Sequence, residues 1–165
     1  STLSSSSAAS DVYKRQTDTE PAKIVFAHGF FASALHEISH WCMAGQKSRL
    51  LNDFGYWYAP DGRNEEQQQQ FEQVEILPQA IECLLTLACN KPFSVSKDNL
   101  FADFDTSQST FEADVHAQAV KFWQTGQKLS TDAKVLLSQL TKLRPLPLTS
   151  FDISHNFIKV NFYQS

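Results

Sequence analysis

The chain has no apolar run approaching the length needed to cross a membrane, and no apolar segment of the signal-peptide kind precedes its first strand-like stretch. It has no run of lysine and arginine. Its 14 basic residues are outnumbered by 18 acidic ones, and a net charge of -4 argues against a nucleic-acid surface. It has no C-x-x-C pair. Cys42, Cys83 and Cys89 make an odd count that does not suit a disulfide framework, so a reducing cytoplasm is the expected compartment. No internal repeat divides the chain. What remains is a globular composition, 42% hydrophobic and 12% aromatic, in 165 residues, which is length enough for one domain with a real core.

Against that background stands the pattern H-E-x-x-H, in Leu35-His36-Glu37-Ile38-Ser39-His40-Trp41-Cys42. Residues four apart in a helix share a face, so His36 and His40 can aim their imidazoles at one point, which suits a divalent transition metal. Glu37 beside them can act as a general base on a metal-bound water, or support a ligand from outside. Two inert histidines on an amphipathic helix would fit the same letters. The context favours the metal: a strand-like run, Ile24 to Ala27, comes before, and a helix-compatible segment, Phe30 to Cys42, carries the pattern.

The first sixteen residues resemble a translated sequencing adapter and carry no apolar period, so residues 1–16 are expected to be a foreign or disordered tail. Residues 17–145 are expected to form the domain, and 146–165 a weakly specified tail. Lys23 to Ala27 reads as a buried strand, and Asn52 to Tyr58 as a short strand or ordered loop. Small residues near Ser33 lead into the motif helix, and Gly45 ends it. Asn64 caps a second helix with Glu65 and Glu66 in its first turn, and Pro78 should kink or end it. Gln79 to Cys89 reads as a core helix, stopped at Asn90-Lys91-Pro92. Phe111, Val115, Ala119 and Phe122 mark a helix over 110–125. Val135, Leu136, Leu140 and Leu143 mark the apolar side of another that starts at Thr131. The last eighteen residues predict no element. The fold class expected is α+β: a small, mostly helical single domain with a short sheet beside the metal-binding helix.

Two histidines need a third ligand, with positions left open for water, oxygen or substrate. The extension H-x-x-G-x-x-H is absent after His40, so a metzincin is excluded. A carboxylate from a second helix is the alternative. Glu72 and Glu75 lie three apart on one face. Glu75 is preferred, because Val74 and Ile76 flank it with apolar groups; Glu72 comes next, and His116 is a further candidate. With zinc, such a set makes a peptidase whose base is Glu37. With iron(II) it makes the facial triad of an oxygenase. A non-catalytic, metal-stabilised binding module is a third class. The residues alone leave these three open.

The run from Ile24 to Cys42 closely resembles the bacterial elongation factor P hydroxylase family. So do Asp53 to Tyr58 with Pro60-Asp61-Gly62-Arg63, Phe71 to Glu75 with Pro78-Gln79-Ala80, and Val115-His116-Ala117-Gln118. The resemblance spans roughly residues 21 to 125, and the sequence departs from the family's pattern before it and from about Lys128. It implies an oxygen-dependent oxidoreductase of the non-haem iron type. Its protein substrate would be elongation factor P, the translation factor that relieves ribosomes stalled at polyproline, hydroxylated on its modified lysine. The implied metal ligands are His36, His40 and Glu75, with no 2-oxoglutarate. A slot for a long cationic side chain combines aromatic walls with carboxylates, and Tyr56, Trp57, Tyr58 and Asp61 are the candidates to line it.

Overall fold

The computed structural model describes residues 24, 30–45, 47–48, 62–96 and 109–158. Among the described residues the α-helices are α1 (Phe31–Met43), α2 (Glu65–Ala88), α3 (Phe111–Thr125), α4 (Thr131–Thr141) and α5 (Ser150–His155). They fall into two compact units, the first of Ser1–Glu75 and Lys97–Ser109, the second of Ile76–Ser96 and Thr110–Ser165. The division falls within α2.

In the first unit, α1 starts from an extended Phe30 that offers no side-chain cap, and ends where Ala44 returns to extended backbone ahead of Gly45. Its buried stripe is Leu35, Ser39, His40 and Cys42. Asn64 caps α2 as its sequence predicts. Its Oδ1 accepts from the Gln67 backbone N–H at 2.9 Å, while Gln67 Oε1 accepts from Asn64 N–H at 3.0 Å, a reciprocal pair that satisfies two orphan donors.

In the second unit, Ile76–Ala88 is buried almost all round. Pro78 neither ends nor splits this helix, which runs unbroken to Ala88. The carbonyl freed by the missing proline N–H is that of Val74, on the exposed side of the helix. The C-terminal carbonyls find a partner in the buried Arg144, whose Nη1 donates to Leu87 O while its Nε donates to Leu146 O at 3.1 Å. Helix α3 buries Phe111, Val115, Ala119 and Phe122, the four residues its period marks, and ends on Gly126 at φ 63°. Helix α4 turns Ala133 and Leu137 inward, leaving Val135 and Leu143 exposed, so its buried side lies about one residue round from the expected one. Helix α5 packs on α3 in a stretch where the sequence pattern predicts nothing. Thr149 and Asp152 close a full capping box at its start, and Ile153 is buried.

The expected α+β class with a short sheet is corrected: no strand occurs among the described residues. Segment 91–96 belongs to no helix or strand, and side chains bond its backbone. Gln79 Nε2 donates to Ser96 O at 2.7 Å and Gln79 Oε1 accepts from Ser96 N–H at 2.9 Å. Asn156 treats Phe93 in the same way, accepting from its N–H and donating to its carbonyl. Two carboxamides thus supply the bonds a neighbouring strand would. The strand expected at 23–27 lies outside the described residues save for Ile24, which is not in a strand, and the short strand or loop expected at 52–58 lies wholly outside them.

Candidate metal centre

Helix α1 carries His36 and His40 one turn apart, with ring centroids 4.7 Å from one another and planes at 64°. Helix α2 brings Glu75, 1% exposed, so that its Oε1 lies 2.9 Å from His40 Nε2. One ligand atom from each of the three residues lies within 4.8 Å of the others. All three belong to the first unit.

The donor set fits a divalent cation. Donors bound side by side at about 2.1 Å from one ion lie roughly 3.0–3.4 Å apart. The His40–Glu75 spacing is close to that, and small side-chain rotations close the rest. Charge points the same way. A buried carboxylate is costly unless positive charge accompanies it, and a divalent ion supplies that charge while leaving both imidazoles neutral, as ligation requires. Two imidazoles and a carboxylate suit iron(II) and zinc alike.

Each remaining sequence candidate is in a different position. Glu37 is half-buried on α1 and is not among the three converging side chains. The carboxylate of Glu72 is engaged elsewhere: Ser109 Oγ lies 3.2 and 3.1 Å from its two oxygens, and Gln68 Nε2 lies 3.5 Å from Oε1. His116 lies in the second unit, where its Nδ1 is 3.0 Å from Ile153 O. A carbonyl can only accept, so that nitrogen carries the proton. Tyr56, Trp57, Tyr58 and Asp61 lie outside the described residues, as does His28. His155 is exposed, stacked on Phe151. Arg63, which closes the motif Pro60-Asp61-Gly62-Arg63 but is given no role there, and Gln68 and Ser109, which the motifs do not single out, bond to the helix turns that lead to Glu75. For Gln68 the sequence signal is the i, i+3, i+7 spacing of Gln68, Phe71 and Glu75.

The family model described as elongation factor P hydroxylase matches residues 2–148. The chain belongs to that family. The match extends beyond the 21 to 125 spanned by the motifs. An elongation factor P lysine hydroxylase of Haemophilus influenzae is 40% identical over 146 residues, covering 87% of this chain and 82% of that protein. Membership in the hydroxylase family selects oxidation over the peptidase and binding-module readings of the same H-E-x-x-H. Among the described residues, no helix is long and apolar enough to cross a membrane.

Proposed function

We infer that this chain is an oxidoreductase that hydroxylates a lysine side chain of elongation factor P, using a metal ion held by His36, His40 and Glu75. The single observation that carries the site is the convergence of these three side chains from two helices, in a member of a hydroxylase family. Iron(II) is the metal we assign: held there, it would supply the redox chemistry for dioxygen-dependent hydroxylation of a carbon–hydrogen bond, with two electrons from an added reductant taking the second oxygen atom to water.

The chain's own residues do the rest. His36 and His40 present neutral imidazoles from consecutive turns, so their spacing is set by helix geometry and needs no loop to hold it. Glu75 gives the site its negative charge from a position closed to water. Glu37, next to His36, supports the ligand set from outside in an oxidative reaction and is not assigned as a proton acceptor from water. Tyr56, Trp57, Tyr58 and Asp61 are proposed to line the slot for the modified lysine, with aromatic faces against its stem and the carboxylate against its cationic end. A cytoplasmic location follows from the substrate and is part of the same proposal.

The test is mass measurement of modified elongation factor P after incubation with the protein, iron(II), oxygen and a reductant. A gain of one oxygen atom that disappears with His36→Ala supports the reading. No gain with the native chain, or an undiminished gain with His36→Ala, overturns it. For the slot, Trp57→Ala should reduce hydroxylation at least tenfold, on the scale of a lost aromatic contact to a cation, and an unchanged rate removes these four residues from it.

A further inference from the structure

A series of buried contacts in the first unit has no part in the chemistry above. Arg63, just ahead of α2, is 4% exposed. Its guanidinium carbon lies 3.9 Å from the centroid of the Phe71 ring, and its Nε donates to Gln68 Oε1 at 3.0 Å. The amide of Gln68 reaches Glu72, whose carboxylate also meets Ser109. Gln68, Phe71 and Glu75 follow one another at helical spacing on a single face, each no more than 2% exposed.

Burying a guanidinium carries a desolvation cost that an apolar side chain of like volume avoids. What an arginine adds is direction. Its plane stacks on an aromatic face while its fork donates at a set angle, so it fixes two partners at once. Here the two partners occupy the successive turns before Glu75. With positions 68 and 71 held, the rotation and axial register of α2 are set at position 75, one turn further on.

We propose that Arg63 is a positioning residue for the metal centre: by clamping Gln68 and Phe71 it sets the orientation in which α2 presents Glu75 to His36 and His40. The proposal rests on the reading of those three residues as metal ligands. Supporting groups around a metal site commonly change its affinity ten- to a hundredfold when removed, and Arg63 acts in that way through the helix.

The test is an anaerobic titration of the full chain with cobalt(II), read by visible absorption, which reports coordination as well as affinity. Arg63→Lys keeps the charge and loses both the stack and the fork. It should bind cobalt(II) at least tenfold more weakly than the native chain, with an altered spectrum and unchanged helical content. Gln68→Met keeps the volume, removes the acceptor for Arg63 Nε, and should move affinity in the same direction; it decides the matter if Arg63→Lys does not fold. Arg144→Lys is the control, because that buried arginine caps the end of α2 in the second unit. It should lower the urea midpoint and leave affinity and spectrum at native values. Native affinity and spectrum in Gln68→Met and in folded Arg63→Lys overturn the positioning role. A native chain that takes up no cobalt(II), or a His36→Ala variant that binds as the native chain does, overturns the ligand reading itself and the positioning role with it.

Discussion

Residues 65–75 and 76–88 continue one helix, yet they bury different things. In the first stretch the buried side chains are Gln68, Phe71 under the Arg63 guanidinium, and Glu75 against His40. In the second they are mostly apolar: Ala80, Ile81, Leu84, Leu85, Leu87 and Ala88 are each at most 1% exposed. Two of the polar side chains there serve the backbone, Gln79 on Ser96 and Thr86 Oγ1 donating to Glu82 O at 2.7 Å. Apolar burial stabilises wherever it occurs, whereas a buried ionic cluster is at best neutral for folding. The first stretch is therefore organised around a site, and the second around a core.

The sharpest way to break that contrast is at the site. The double substitution His40→Leu with Glu75→Leu should abolish hydroxylation and metal uptake while leaving metal-free stability equal or up to about 4 kcal/mol higher, since a buried polar pair is exchanged for packed apolar groups. A large loss in urea denaturation would show that the pair holds the fold together. The second unit should behave in the opposite way. Phe122→Ala removes a ring that is 1% exposed and should cost about 3–5 kcal/mol, with cobalt(II) affinity unchanged in the molecules that stay folded. Arg144→Met removes a donor from the buried Leu87 carbonyl and another from the half-buried Leu146 carbonyl and should cost about 2–3 kcal/mol by the same measurement.

A further effect is one of pH. The Cys83 thiol is pushed up to about 12 from an ordinary 9.0, by burial first and by neighbouring Glu82 second. The unfolded chain therefore loses this proton before the folded chain does. Stability owed to Cys83 is complete below pH 9 and falls between 9 and about 12, by no more than about 1.4 kcal/mol per pH unit. Cys83→Ala should remove that slope from denaturation curves measured across this range. An unchanged slope would mean that the thiol ionises freely in the fold, contrary to a closed core around residues 80–88.

What the letters reveal and what they conceal divides along the same line. The pairing of His36 with His40 is local, so helix periodicity suffices to read it. Glu75 is legible too, though Val74 is a misleading guide: it is 46% exposed, because adjacent helix residues face about 100° apart. The better signal is the spacing from Gln68 through Phe71. Choosing Glu75 over Glu72 depends on Ser109, 37 residues away, which no local pattern contains. Segment 91–96 is concealed for a similar reason, since its bonds come from Gln79 and Asn156, distant in sequence. Helix α5 announces itself as Thr149-x-x-Asp152, a capping box hidden behind Pro145 and Pro147.

The central claim is that two imidazoles of α1 and the carboxylate of Glu75, not that of Glu72, hold one ion. Anaerobic iron(II) binding to the native chain, Glu75→Gln and Glu72→Gln tests it most directly. The account predicts one iron per native chain, tight binding lost in Glu75→Gln, and one iron retained in Glu72→Gln, where the amide oxygen still accepts from Ser109. Iron retained in Glu75→Gln and lost in Glu72→Gln would contradict it.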